Sequence, residues 1–584
     1  MADKTWAGGT SDDAAVAGNW SPSGVPASND KVEIPDASTT SNDCRLTTAT
    51  SWGTLTIATD GILVGNGQTL TLNGGVNDGG TAADYNYTDA GQTSNVSGSL
   101  DIVMRNLRSS GDRAIITAAA NNIRNLKIDD FTADGGGTGK VYHFQCNLTI
   151  SGDLTVEYGD LNTAFSSTSY ELIVAGTTTI GPASGAADQA TLTCNASTVS
   201  LGTTRQQGDY ALNIEQGGTF VGGTGTHTVG SLYMAQSANA KATMTTAVMT
   251  INGYNNSANK AWRVEYGGDT FDNANGTVRF NFNGFDTRMS MRSESHANNA
   301  FHNLIIQMNG DTRTLSIDNG TDVKVDNDLT VSRGVLNAGS NHNLEVVGHV
   351  DVGTDSEVSN LKFTSTSTKT ATFKSILIGA NGTYEATSGT TTLKGEHTNG
   401  FAWYNNGTFT DNDGTVTIGD GSTSIGTTHI QENRFHHLTI NRDAENVNTV
   451  WRDVSGNTLT IDGNLTMTKG FFYRNTVTDT LTVTGDVDIA ANGRLGLTAD
   501  TGANNFGSLT IASGGAYYAT SGTTTITAKT SDNYGIKGGG IFIHNNGEVK
   551  ITGNAFRFPV GATYYDLTID GSESFYLYST AVGD

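Results

Sequence analysis

The sequence predicts an all-β fold, a right-handed parallel β-helix or β-solenoid with long internal repeats of about 135 residues. Three observations support this prediction: the composition, short alternating apolar segments, and repeated sequence columns. The chain of 584 residues contains 73 Gly and 5 Pro, and 15% of its residues are charged. Thr, Asn, Ser and Asp alternate with Val, Ile and Leu, which is typical of strands and turns.

Alternating segments such as Leu438-Thr439-Ile440 and Leu459-Thr460-Ile461 recur along the chain. On a strand each segment places two apolar side chains on one face. Clusters such as Asp462-Gly463-Asn464 lie between them and suit turns with positive φ. The segments that begin at residues 438, 459, 481 and 509 are 21, 22 and 28 residues apart. These steps match one coil of a solenoid, and no helix is predicted.

A longer repeat appears in three independent columns. An aromatic-x-x-Leu-x-Ile motif begins at residues 301, 435 and 564, with spacings of 134 and 129 residues. A turn glycine at residues 276, 414 and 547 has spacings of 138 and 133, and an Ala-Thr-Ser-Gly-Thr-Thr-Thr motif at residues 386 and 519 has a spacing of 133. The columns agree on one period, so each long unit contains several coils.

These columns predict an order of segments: an N-terminal cap at residues 1–48, a first solenoid region at 49–275, repeat units at 276–413 and 414–546, and a truncated repeat with a C-terminal cap at 547–584. Trp6 and Trp20 are predicted to cap the first open coil, because an uncovered solenoid end is an aggregating edge. Tandem β-sandwich domains of about 135 residues are the alternative fold.

Charge and cysteine usage argue against several classes of protein. The formal net charge is −24 and the isoelectric point is about 4.7, so nucleic acids and anionic membranes are not expected partners. No apolar run is long enough for membrane insertion. Cys44, Cys146 and Cys194 lack C-x-x-C spacing, so no disulfide framework or zinc cluster is expected.

No catalytic residue, cofactor or metal site is predicted, since G-x-S-x-G, H-E-x-x-H and a complete P-loop are all missing from the sequence. Asp411-Asn412-Asp413-Gly414 resembles part of a calcium loop, but it coincides with a repeated turn and lacks the distant bidentate Glu. His436 and His437 are adjacent, so on a strand they point to opposite faces and do not bind one metal together.

Two aromatic groups are the candidate ligand-binding residues, because exposed aromatic rings can stack on sugars or protein partners. The competing interpretation is packing in the core or at a subunit interface. The candidates are Phe401, Trp403, Tyr404, Phe471, Phe472 and Tyr473.

Several segments in order resemble the repeats of bacterial surface β-solenoids: Asp328-Leu329-Thr330-Val331, Gly334-Val335-Leu336-Asn337 and Asn343-Leu344-Glu345-Val346. The start, with Trp6-Ala7-Gly8-Gly9 and Asn19-Trp20-Ser21, is similar to the entry segment of autotransporter-passenger-like proteins and phage appendage proteins. The resemblance implies the fold and exposure on a surface, but it implies no catalytic residue.

These observations favour a structural or adhesive appendage of a tailed bacteriophage: a fibre, a spike or a capsid-attached protein. Such a protein would be made in the host cytoplasm, displayed on the virion exterior, and would contact other virion proteins or a glycan or protein of the host surface. A homo-oligomer is expected, with a trimer as the leading arrangement. The alternatives are an adhesin on the bacterial cell surface and a polysaccharide-degrading tailspike with carboxylates in a groove.

Overall fold

The computed structural model describes residues 2–58, 60–73, 85–89, 96–105, 113–116, 123–130, 141–182, 189–203, 208–264, 270–291, 299–318, 322–422, 426–452, 458–553, 557–559, 562–571 and 575–578. The chain divides into two compact units, Met1–Leu304 and Ile305–Asp584. Within the described residues, the only helices are two short 3₁₀ helices, Ala17–Asn19 and Ala37–Thr39. Neither has the length and apolar character that crossing a membrane requires.

The strands of the first unit are Asp3–Trp6, Trp20–Ser21, Lys31–Ile34, Cys44–Arg45, Thr50–Trp52, Thr54–Ile57, Leu63–Val64, Thr69–Leu72, Tyr85–Asp89, Val96–Ser97, Leu100–Met104, Arg113–Ile116, Ile123–Asp129, Val141–Phe144, Leu148–Ile150, Leu154–Asn162, Ala164–Phe165, Thr168–Ser169, Leu172–Val174, Thr178–Ile180, Ala190–Thr193, Val199–Leu201, Leu212–Ile214, Gly218–Val221, His227–Val229, Leu232–Met234, Lys241–Thr243, Val248–Ile251, Lys260–Val264, Phe271–Asp272, Thr277–Phe280 and Thr287–Met291. A further strand, Asn303–Gln307, contains the boundary between the units.

The strands of the second unit are Thr314–Ile317, Val323–Val325, Leu329–Gly339, Leu344–Val352, Ser359–Phe363, Ala371–Ile378, Gly382–Glu385, Thr390–Leu393, Phe401–Asn405, Thr408–Thr410, Thr415–Ile418, Thr428–Gln431, Arg434–Phe435, His437–Asn441, Asn448–Arg452, Thr458–Ile461, Leu465–Arg474, Thr480–Leu495, Asn504–Ile511, Ala516–Tyr518, Thr523–Ile526, Ile536–Gly538, Ile541–Ile543, Glu548–Ile551, Arg557–Pro559, Asp566–Ile569 and Tyr576–Tyr578.

Parallel pairing between successive coils confirms the predicted β-solenoid in each unit. In the first unit, one inward row contains residues 150, 174, 201, 229, 251 and 280, all of them apolar and buried. In the second unit, a comparable row runs through residues 344, 371, 391, 416, 438, 465, 487, 509 and 536. The tandem β-sandwich alternative is wrong, because sandwiches are built from antiparallel strands.

The long repeat predicted from the sequence is also a repeat of contacts. The hydroxyl groups of Tyr384 and Thr391 are hydrogen-bonded at 2.8 Å, and those of Tyr517 and Thr524, 133 residues later, at 3.0 Å. The repeated turn glycine is required by close stacking on the preceding coil. A Cβ on Gly414 would lie 2.2 Å from a backbone oxygen of that coil, which is shorter than real Cβ contacts.

The first unit begins with three indole rings packed edge to face. The ring centroids of Trp6 and Trp20 are 5.0 Å apart, and those of Trp20 and Trp52 are 5.8 Å apart. The Trp6 and Trp20 indoles donate hydrogen bonds to the backbone oxygens of Asn42 and Ala14. All three Trp side chains are buried. The two residues that were predicted to cap the solenoid therefore lie in the apolar core at its N-terminal end.

Candidate ligand-binding cleft and aromatic strip

A cleft of about 710 Å³ lies in the second unit. It is formed by the parallel strands Leu344–Val352 and Ala371–Ile378 and by the segment at residues 394–400 that follows strand Thr390–Leu393. The first two strands change register between Val346 and His349, and Val347 is 51% exposed at that point. The lining residues are Glu345, Val346, Val347, His349, Thr372, Phe373, Lys374, Lys394, Gly395, Glu396, His397, Thr398 and Gly400.

Backbone hydrogen bonds hold the 394–400 segment over the cleft. The N–H groups of Lys394 and Gly395 donate to the oxygens of Phe373 and Lys374 at 2.9 and 2.7 Å. The N–H of His397 donates to the oxygen of Phe401 at 2.8 Å, which closes the segment into a compact turn. The side chains of this segment are therefore fixed relative to the neighbouring coil.

Two imidazole rings face each other in the cleft, with centroids 4.5 Å apart. The Nδ1 atom of His349 lies 2.7 Å from the hydroxyl oxygen of Ser375. The Nε2 atom of His397 lies 3.7 Å from Oδ1 of Asp351. Each imidazole therefore has its own orienting partner, and the pair presents both donors and acceptors to a bound molecule.

Burial shifts the titration of this group. Burial, followed by the positive charges of Lys374 and His397, lowers the pKa of His349. Burial raises the pKa of Asp351, and the charge of His397 opposes that rise. The neutral form of His349 is therefore favoured at neutral pH. Perturbed titratable groups in a cleft are a recognised indicator of a functional site.

The remaining charged groups of the cleft come from two strands and the 394–400 segment. The Oε2 atom of Glu396 is buried without a hydrogen-bond partner in the part of the chain that the structure describes. Glu396 also raises the pKa of Arg442, against the lowering effect of burial. The ammonium of Lys394 lies 3.9 Å from Asp420. Carboxylate oxygens of this kind accept hydrogen bonds from hydroxyl groups.

Strand register joins the cleft to the predicted aromatic residues. Asp351 pairs with Leu377, Leu377 with Tyr404, and Tyr404 with Gln431, so these side chains form one outward row. We call the surface of the half-buried rings of Tyr404, Phe471 and Tyr473, together with the buried ring of Phe401, the aromatic strip. The Phe401 and Tyr404 ring centroids are 5.1 Å apart, and those of Phe471 and Tyr473 are 5.2 Å apart.

Three of the six predicted ligand-binding aromatics are buried: Phe401 is 8% exposed under its neighbours, and Trp403 and Phe472 face the core. Trp403 is fully buried and Phe472 is 2% exposed, so neither can stack on a ligand, and that part of the prediction is corrected. The reason is the alternation of side chains along a strand, which sends Trp403 inward and Tyr404 outward. The Trp403 indole donates to Oε2 of buried Glu432 at 3.3 Å.

Polar groups fix the strip near the cleft. The Arg452 guanidinium carbon lies 5.3 Å from the centre of the Phe401 ring. The Nδ1 atom of His429 donates to the oxygen of Gly400 at 3.1 Å, and its Nε2 atom accepts from Arg452 at 3.0 Å. These contacts assign the proton to Nδ1 of His429, and both His429 and Arg452 lie beside the Phe401 ring.

A separate group, Asp411, Asp413 and His436, brings its ligand atoms within 4.8 Å of one another. The sequence predicted turn chemistry here and no metal. The Nδ1 atom of His436 lies 3.2 Å from Oδ1 of Asp413, whose side chain is 85% exposed. The contact is exposed to solvent and lies at a repeated turn, where clustered acidic side chains are common without a metal ion.

Comparison with family models, with curated proteins and with solved structures finds no match to this chain. The site is therefore interpreted from its own residues. Sequence reasoning identified the aromatic strip but missed His349, Lys374 and His397. Those three residues lie on different strands and segments, and only the register brings them together. A comparison of each position with its equivalent in the next long repeat could have indicated these three residues.

Proposed function

We propose that this protein is a structural and adhesive β-solenoid that binds a saccharide through the cleft and the aromatic strip. One observation carries the proposal: the outward row that runs from Asp351, the partner of cleft residue His397, through Leu377 reaches Tyr404 of the strip. Sugar rings stack their apolar faces on aromatic side chains, while their hydroxyls need both donors and acceptors. The cleft supplies carboxylates, imidazoles and ammonium groups, and the strip supplies the rings.

Binding of the full-length chain to a glycan array tests the proposal. We expect binding to a defined set of saccharides, with Tyr404→Ala weakening it about tenfold, which corresponds to one aromatic contact. Phe165→Ala is the matched control, because Phe165 is an aromatic residue of the first unit with 37% exposure. Binding that survives Tyr404→Ala unchanged would contradict the assignment of this site.

We also propose that the protein is displayed on the exterior of a tailed phage virion as a fibre, spike or capsid-attached protein. The parallel β-solenoid fold and the acidic surface support this role, and a homotrimer is the expected assembly. Immunogold labelling of purified virions and of bacterial cells separates this proposal from that of a bacterial surface adhesin. Label on cells grown without phage would overturn it, and sedimentation of the full-length chain measures the oligomeric state.

Cleavage of the bound polysaccharide is a second candidate function, and the His397–Asp351 pair favours it. An imidazole oriented by a carboxylate is suited to general acid–base catalysis, which contributes about 10²–10⁴-fold to rates. The test measures reducing ends released from host polysaccharide by the full-length chain. We expect His397→Gln to abolish release while saccharide binding persists. Binding without detectable release would remove this candidate.

A further inference from the structure

Lys374 presents a positioned ammonium group to the cleft. Its aliphatic stem lies against Gly395: a Cβ built on that glycine would be 2.6 Å from Cγ of Lys374 and 3.4 Å from Cε. The positive charge of Lys374 is one cause of the lowered pKa of His349, so the ammonium lies near that imidazole. Within the part of the chain that the structure describes, no carboxylate lies within 4.0 Å of the Lys374 ammonium.

The other charged groups of the cleft lie near an opposite charge or are exposed to solvent. Asp351 faces His397 at 3.7 Å. Glu396 interacts with the buried guanidinium of Arg442. Lys394 lies 3.9 Å from Asp420, and Glu345 is exposed at the rim. Lys374 is therefore the cation that remains for a ligand, in a protein whose net charge of −24 otherwise repels anions.

The next long repeat shows that this feature is not needed for the fold. The N–H groups of Thr527 and Ala528 donate to Phe506 and Gly507 at 2.9 and 2.8 Å, which matches the hydrogen bonds of Lys394 and Gly395. At the two key positions, however, the repeat has Gly507 in place of Lys374 and Ala528 in place of Gly395. The aliphatic stem of the lysine needs the space that a glycine leaves at the facing position. In the repeat that lacks the lysine, the facing position can hold an alanine.

We propose that the cleft binds an acidic saccharide and that Lys374 pairs with the carboxylate of that ligand. The inference rests on the proposed saccharide binding and specifies its chemistry. The Lys374 ammonium forms a charge-assisted hydrogen bond with the carboxylate. The neutral imidazole of His349, held by Ser375, bonds a neighbouring hydroxyl group. Tyr404, on the outward row of Asp351, stacks on the next sugar ring of the chain.

Calorimetric titration of the full-length chain tests the proposal with oligosaccharides of galacturonate, glucuronate and sialate, each beside its methyl ester. The ester keeps the sugar and removes the negative charge. We expect at least one acid to bind about 10- to 100-fold more tightly than its ester, the range for a hydrogen bond to a charged group. Lys374→Met should abolish this preference, and Lys374→Arg should keep part of it.

Gly395→Ala gives a second, independent test. The added methyl group displaces the Lys374 stem, so we expect the preference for the acid to fall about tenfold. Because Ala528 occupies the same backbone position in the next repeat, the variant should fold, and its circular dichroism spectrum checks this. Lys529→Met, which removes a lysine of that next repeat, is the matched control and should change neither acid nor ester binding.

Each result separates this proposal from saccharide binding itself. Equal binding of acid and ester, or binding of neutral saccharides alone on the glycan array, overturns the acidic-saccharide proposal and leaves saccharide binding in place. An acid preference that survives both Lys374→Met and Gly395→Ala overturns the role of Lys374. The absence of any saccharide binding overturns both proposals.

Discussion

The cleft repeat, residues 344–405, and the second repeat, residues 481–538, share one backbone but carry different side chains. In the first, the N–H of His397 donates to the oxygen of Phe401, and in the second, the N–H of Thr530 donates to the oxygen of Tyr534, both at 2.8 Å. Ser375 bonds His349 at 2.7 Å, and its counterpart Ser508 donates to Asp486 at 2.6 Å. The second repeat thus keeps the hydrogen bonds but replaces both histidines.

The side-chain differences between the two repeats show which positions the fold requires. Inward rows, turn glycines and the bonds that hold each turn recur in both repeats, so they serve the solenoid. Outward and loop positions change: Lys374 becomes Gly507, His397 becomes Thr530, and Tyr404 becomes Lys537. These positions can vary without disturbing the coil, and they include the residues of the proposed ligand site.

The largest effect on stability is expected from substitutions in the cores of the two repeats. Trp403 and Ile536 occupy equivalent inward positions, paired with Ile376 and Leu509. Trp403→Ala should lower the free energy of unfolding by about 3–5 kcal/mol, because it leaves a large cavity. Ile536→Ala should cost less, since a smaller volume is lost. Urea denaturation followed by circular dichroism measures both values, and an equal loss in both variants would show that the two cores are equivalent.

A smaller effect on stability is expected from removing the hydroxyl groups of the two buried tyrosines. The hydroxyl of Tyr384 bonds Thr391, whereas that of Tyr517 bonds both Thr524 and Asn504. Tyr384→Phe should cost about 0.5–1.5 kcal/mol, the usual net value of one hydrogen bond. Tyr517→Phe should cost more, because it leaves the buried amide of Asn504 with one partner fewer. The same denaturation experiment measures both, and the reverse order would contradict this account.

The repeated apolar residues allowed the solenoid fold to be predicted from the sequence. Leu438 and Leu459 were predicted to be equivalent positions of successive coils, and both are buried. The register corrects that assignment: Leu438 pairs with Leu465 and Leu459 pairs with Leu481, so the two residues lie on different strands of one coil.

Trp403 and Tyr404 were both predicted to belong to a ligand-binding surface, although adjacent residues of a strand face opposite sides. The sequence does not indicate which of the two faces the core. That choice depends on the neighbouring coils, which bury Trp403 against Tyr384 and Phe435.

The cleft could not be predicted in the same way. His349, Lys374 and His397 are separated by more than 20 residues at each step, and none belongs to a recognisable motif. They meet because the register places His349 beside Ser375 and because residues 394–400 fold back over the strands. A register shift of one residue would reverse every outward position, so local sequence alone does not determine this grouping.

The smallest expected effect is a difference between the two repeats in how their contributions to stability depend on pH. Burial lowers the pKa of His349 from its ordinary value of 6.5. The unfolded chain then binds more protons, so the contribution of His349 to stability is lost as the pH falls below about 6.5. Burial, followed by the charge of Asp486, raises the pKa of Asp488 in the second repeat above 3.8. There the folded chain binds more protons, and stability is lost as the pH rises.

Two substitutions test these opposite dependences of stability on pH. His349→Gln, which can keep a bond to Ser375, should make stability less sensitive to acid between about pH 7 and pH 5. Asp488→Asn should raise stability at neutral pH relative to the unmodified protein, and the gain should vanish near pH 4. Urea midpoints measured across this range give both slopes. If His349→Gln leaves the acid slope unchanged, His349 is as exposed to solvent as an unfolded histidine, and the cleft does not hold it in its neutral form.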